Sequence, residues 1–204
     1  MTQTKPITNG TTAKAGHTYR VCPWYLGYLL ASPVRRLVEN PERLLGPLVR
    51  PGMTVLEPGP GMGFFTLELA RLVGPEGRVI ACDLQQKMLD GLKRRAARAG
   101  LSERIEPRLA AEDSMKIDDL AGRVDFALAY AMVHELPDQA RFFAEVRRAL
   151  KPDGAVLVAE PNGHVSEDDF RATLAVAERA GFLVKPGPAI RRYRTAALVG
   201  ERRV

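Results

Sequence analysis

From Pro51 onward the chain alternates short, β-rich apolar runs with segments of helical periodicity, and this alternation constrains the fold more than any other feature. Strands separated by helices are the pattern of a parallel sheet with crossover helices. The apolar runs predict strands over Met53–Glu57, Arg78–Cys82, Arg104–Ala110, Val124–Tyr130 and Ala155–Glu160. Between them, Phe64–Val73 is helical in spacing and stopped by Gly74-Pro75, and Gln85–Ala99 carries Met88, Leu89, Leu92 and Ala96 and ends at Gly100. Asp138 is the expected N-cap of a helix carrying Phe142, Phe143, Val146 and Leu150, terminated by Lys151-Pro152-Asp153-Gly154.

The C-terminal part departs from this rhythm. Ser166 with Asp169 three residues later resembles a capping box and opens a helix to Ala180, closed by Gly181. Phe182–Lys185 and Tyr193–Val199 then read as two strands, antiparallel to each other across a Pro-Gly-Pro connection. The expected fold is α/β: an open sheet of about seven strands, mostly parallel with a C-terminal antiparallel hairpin, plus short N-terminal helices.

Those helices fall within Cys22–Asn40, where Ser32-Pro33 supplies an N-cap followed by Pro at the first helical position. Residues 1–16 are rich in Thr, Lys and Gly, lack the apolar stretch of a secretory signal, and are expected to form a disordered leader. A length of 204 residues supports one full core. Residues 17–204 are therefore read as a single domain, with 17–50 a helical N-terminal segment and candidate lid. The longest nearly apolar run, Val124–Val133, contains Asp125 and is far shorter than the roughly 20 residues of a bilayer span, so no membrane association is expected.

Cys22 and Cys82 are too few and too distant for a disulfide scaffold or a paired-cysteine zinc site, and His17, His134 and His164 form no i, i+4 pair. The expectation is a cytoplasmic protein with no metal. The formal charge of +6 permits phosphate-rich partners, but the basic residues are dispersed along helical segments in the manner of solvated faces.

The chemistry is concentrated after the first strand, in Glu57-Pro58-Gly59-Pro60-Gly61-Met62-Gly63. A glycine-rich turn from strand to helix lets backbone amides approach a ligand and aims a helix N-terminus at it. The spacing differs from the G-x-G-x-x-G of dinucleotide-binding turns, since Phe64 occupies the place of the third glycine. Glu57 would repel a diphosphate but suits a ligand bearing an ammonium group. Asp83, at the end of the second strand, is placed to accept from both hydroxyls of a ribose. Glu112-Asp113, after the third strand, could accept from an exocyclic adenine amine. Singly, Glu57 could merely cap the loop and Asp83 the next helix, but three acids at successive strand ends describe a ligand with an amino acid, a ribose and an adenine.

With these motifs the sequence resembles the class I S-adenosylmethionine-dependent methyltransferases, whose fold is Rossmann-like, over roughly Pro51–Glu160 in motif detail and the C-terminal hairpin in layout. The resemblance implies S-adenosyl-L-methionine as cofactor, with Glu57, Gly59, Gly61, Met62 and Gly63 at its methionine part and Asp83 at its ribose. It further implies Glu112, Asp113 and Ser114 at the adenine, Leu84 and Met88 packed on the adenine ring, and Tyr130 where cofactor and substrate meet. Ala129–Met132 lacks the Asn/Asp-Pro-Pro-aromatic tetrapeptide of the enzymes that methylate exocyclic amines, which disfavours that branch.

Methyl transfer needs alignment and exclusion of water more than covalent machinery. For an acceptor that must lose a proton, His134 is the candidate general base and Glu135 its candidate orienting partner, although packing at the strand-to-helix loop would also account for them. Trp24 and Tyr25 are candidate substrate-binding residues, as is His164 at the end of the fifth strand, where Asn162-Gly163 also marks an ordinary turn. The leading expectation is a methyltransferase acting on a small-molecule acceptor, with homodimerisation left open. A nucleic-acid methyltransferase, a non-catalytic cofactor-binding module and a nicotinamide oxidoreductase follow in that order.

Overall fold

The computed structural model describes residues 39–200, Arg35, and the backbone of a ribbon pairing Ala13–Lys14 with His17–Thr18. The expectations for the remainder of the leader, the helices before residue 39, Trp24 and Tyr25 lie outside the described residues. Val55 and Leu56 are both fully buried yet point to opposite faces, which places β1 (Thr54–Pro58) inside a sheet covered on both sides. The other strands are β2 (Arg78–Asp83), β3 (Ile105–Leu109), β4 (Val124–Tyr130), β5 (Leu150–Pro161), β6 (Phe182–Pro186) and β7 (Tyr193–Gly200), in the order β3-β2-β1-β4-β5-β7-β6. The pairs from β3 to β5 are parallel, whereas β7 pairs antiparallel with both β5 and β6. The chain leaves β1 toward β2 on one side and returns to β4 on the other, which opens a crevice at the carboxyl ends of these strands.

Each sheet face carries its own core. Leu56, Ile80, Ala127 and Val156 face α4 (Gln139–Ala149) and α5 (Glu167–Arg179) through Phe142, Phe143, Phe170 and Ala177. Val55, Val79, Leu128 and Leu157 face α2 (Thr66–Leu72) and α3 (Gln86–Arg98) through Leu69, Leu89, Leu92 and Ala96, with α1 (Pro41–Leu45) at the margin. The expected caps form: Asp138 accepts from the Arg141 amide at 2.9 Å, and Ser166 accepts from the Asp169 amide at 3.1 Å. Among the described residues no helix is long and apolar enough to cross a membrane.

The largest departure from the sequence reading is at the start of β5. Leu150, expected to close the helix, instead begins a strand and pairs with Val124, and Lys151 to Gly154 bulge before pairing resumes at Phe126 with Ala155. The bulge brings the Lys151 ammonium to Asp125 at 2.5 Å, and Asp125 also accepts from the Thr54 amide at 2.8 Å. An acid within an apolar strand is thereby partnered on both oxygens, a pairing no local pattern announces. Elsewhere element ends move by a residue or two: α2 begins at Thr66, β3 spans Ile105–Leu109 and β2 includes Asp83.

Candidate functional site

The crevice at the carboxyl ends of β1, β2 and β4 holds a cavity of about 590 Å³, within the usual range of small-ligand sites. The turn after β1 forms one wall, with Gly59, Gly61 and Gly63 all at positive φ. At Gly61 (φ +54°) a side chain would meet nothing within 4 Å, so the bare backbone itself faces the opening. Gly63 (φ +84°) is different: it does not line the cavity, and a Cβ there would overlap Leu92 Cδ1 of α3. At Gly63 the turn packs closely against α3. Gly63→Ala should cost roughly 1–3 kcal/mol of stability, measurable by denaturant unfolding.

Glu57, the last residue but one of β1, is 4% exposed, and its Oε2 is buried with no hydrogen-bond partner among the described residues. Burial pushes its pKa up to about 8; the neighbouring Thr66 hydroxyl pulls it down, short of a hydrogen bond to Oε2, and the Asp83 charge raises it further. A carboxylate oxygen left in this state on a cavity wall is an acceptor awaiting a donor. Asp83 ends β2, where Oδ1 accepts from the Gln85 amide at 2.8 Å and Oδ2 from the Gly61 amide at 3.3 Å. Burial pushes its pKa up to about 6 against these bonds. Asp83 therefore ties the glycine turn to β2, and the helix cap proper is Gln85.

Leu84, 39% exposed, and Met88, buried against Met62, stand beside Asp83 on the cavity wall. Glu112, Asp113 and Ser114 also line the cavity. Asp113 stands at the rim, 73% exposed and 3.7 Å from the Arg141 guanidinium. Tyr130, His134, Glu135 and His164 also line the cavity.

His134 and His164 approach with ring centroids 6.0 Å apart. The hydrogen bond that orients His134 comes not from Glu135 but from Glu160, whose Oε2 engages Nδ1. Glu135 acts on the ring through its charge. The correction has a topological cause: β5 lies beside β4, so the last residues of one strand face the loop after the other.

Several cavity residues escaped sequence reasoning. Arg35 stacks over Phe64 at 4.3 Å and pairs with Glu39 at 2.8 Å. Glu39 also accepts from the hydroxyls of Tyr130 at 3.3 Å and Tyr193 at 3.0 Å, joining residues 154 positions apart. Glu145 accepts from the Met115 amide at 2.9 Å and shapes the end near Asp113. Glu145 and Arg141 carried only the ordinary signal of helix-face charges.

A family model described as a methyltransferase domain matches residues 55–154. The chain is 31% identical over 110 residues to the arsenite methyltransferase of Halobacterium salinarum, covering 54% of this chain and 27% of that protein. It is 34% identical over 100 residues to the demethylmenaquinone methyltransferase of Lactobacillus johnsonii, covering 49% of this chain and 40% of that protein. The chain thus spans less than half the length of these curated relatives. The fold matches that of a SAM-dependent methyltransferase from Aquifex aeolicus with a TM-score of 0.76 at 24% identity, over 87% of this chain and 97% of that one. These likenesses show a methyltransferase domain over residues 55–154, set in the Rossmann-like fold of the class I methyltransferases.

Proposed function

We propose that the chain transfers the methyl group of S-adenosylmethionine to a small-molecule acceptor in the same cavity. The observation that carries this reading is the unpartnered buried oxygen of Glu57 beside the open Gly61 backbone. An ammonium group satisfies that oxygen and restores its charge, whereas a diphosphate would be repelled. Asp83 suits the ribose hydroxyls, Leu84 and Met88 the faces of the adenine, and Glu112 to Ser114 its edge. When bound, S-adenosylmethionine supplies an electrophilic methyl group on a sulfonium. The chain's part is to hold the acceptor in line, to shed water from a cavity walled by Phe64, Phe65, Tyr130 and Phe142, and to take a proton on His134. The two methyltransferase relatives named above support a small acceptor by their names alone.

Titration calorimetry with S-adenosylhomocysteine tests the reading. Micromolar binding is expected, weakened roughly 10–100-fold by Asp83→Ala, as befits the loss of one or two hydrogen bonds to a charged group. Absence of binding to folded wild-type protein would overturn it.

A further inference from the structure

Glu160 is the least exposed acid among the described residues, at 1%. A carboxylate so deep is costly unless both oxygens are engaged. Oε1 accepts the Val133 amide at 2.8 Å, and Oε2 engages Nδ1 of His134. One acid on β5 thus holds both the backbone and the ring of the segment leaving β4. That segment begins at Ala131, held at φ +55°, a left-handed conformation that a non-glycine residue keeps only when its surroundings impose it.

Nδ1 faces a carboxylate and therefore carries a proton, which leaves Nε2 as the lone-pair nitrogen of the neutral ring. Nε2 has no hydrogen-bond partner among the described residues, while the ring, with 23% of its side chain exposed, lines the cavity. Such a base has no task toward an acceptor whose lone pair is already free, such as a thioether or an arsenic centre. The geometry points to Glu160 as the positioning residue of a His134–Glu160 proton-abstracting dyad. It also points to an acceptor bearing a hydroxyl on an aromatic or enolic framework, methylated on that oxygen or on the carbon it activates.

In the step, the hydroxyl proton passes to His134 Nε2 and the oxyanion or its conjugated carbon bonds the methyl group. The S–CH₃ bond breaks with its electron pair returning to sulfur. The imidazolium remains paired with Glu160 until its proton leaves to water; after methylation at carbon, that carbon's own hydrogen leaves to water as a proton and the oxygen takes one back, restoring the hydroxyl. The charged groups acting on that ring are Glu160 from β5 and Glu135 from its own loop, with the His164 ring at 6.0 Å. The Tyr130, Phe142 and Met132 side chains offer the apolar wall that a flat acceptor needs.

This inference rests on the methyl-transfer reading, and its test separates the two. Nitrogen NMR of the His134 ring, in free protein and with S-adenosylhomocysteine, is expected to show the Nδ1–H tautomer. In Glu160→Gln the amide donates to Nδ1 and flips the ring to Nε2–H, and the proton affinity of the ring falls by about tenfold or more. Glu135→Gln should leave the tautomer in place. Glu160→Asp, which keeps the charge, should keep part of the effect if the glutamine variant folds poorly. With 4-nitrophenol as the acceptor probe in the S-adenosylhomocysteine complex, the bound phenol should be ionised in wild type and largely neutral in Glu160→Gln.

An unchanged tautomer and titration in Glu160→Gln, or a phenol that stays neutral or unbound in wild type, would overturn the dyad or its acceptor class. Failure of wild type to bind S-adenosylhomocysteine would instead sink the methyl-transfer reading, and the ring titration in free protein would still decide the dyad.

Discussion

Replacing His134 by alanine is expected to lower turnover by roughly 10²–10⁴-fold while S-adenosylhomocysteine affinity stays within about twofold. The ring lines the cavity and is hydrogen-bonded to Glu160, whereas Asp83 is held by the Gln85 and Gly61 amides, so loss of the ring removes a base and leaves those hydrogen bonds in place. The pH dependence is equally specific. Burial disfavours the imidazolium, but the bond and charge of Glu160, with the charge of Glu135, outweigh it and hold the pKa above the ordinary 6.5. Activity, which needs the neutral ring, should therefore rise as pH climbs through that elevated value. The stability contributed by the imidazolium runs the other way: it is fully present below about pH 6.5 and is lost as pH rises through the folded-state value. Parallel profiles of kcat and thermal midpoint against pH, in wild type and His134→Ala, check both signs. An alanine variant with unchanged turnover would remove the general base from the mechanism.

Glu57→Gln should make the free protein more stable and a worse binder at once. The folded state holds a proton on this acid up to about pH 8, whereas the ordinary value is 4.5. Because the unfolded chain gives that proton up first, the native state loses stability as pH rises from about 4.5 to about 8. At pH 7 the loss is on the order of 3 kcal/mol. Glutamine removes the penalty, so the gain should be near its full size at pH 8 and vanish by pH 4, where both states of the acid are protonated. The same substitution deletes the acceptor for the ligand's ammonium group. Wild type should release close to one proton on binding S-adenosylhomocysteine at pH 7, seen as a dependence of the calorimetric heat on buffer ionisation enthalpy. The variant should release much less. A Glu57→Gln protein no more stable than wild type at pH 8 would mean that the acid is solvated and does not await a partner.

Both substitutions act on residues whose positions the sequence indicated but whose states it did not. Glu57 and Asp83 were visible as acids ending two strands, and the burial that raises both pKa values follows from their places inside the sheet. Gly61 was legible as part of a glycine-rich turn after a strand, and its backbone faces the cavity. Gly63 looked the same in sequence, yet it serves packing against Leu92, because which glycine meets a helix depends on where α3 lies. Leu150 was misplaced because its apolar character fits the last turn of a helix and the first residue of a strand equally well. Register with Val124 made it a strand.

By itself the sequence determined the strand and helix alternation, the mostly parallel sheet with its antiparallel end, and the acidic and glycine positions along one edge. These are written in periodicities of 2 and 3.6 residues and in turn chemistry, which act between near neighbours. Only the tertiary structure decided that Glu160, and not the adjacent Glu135, orients His134, and that Glu39 gathers the hydroxyls of Tyr130 and Tyr193. Those partners meet because β5 lies against β4 and β7 against β5, and side chains far apart along the chain are brought within hydrogen-bond reach by strand order and register, which leave no local trace.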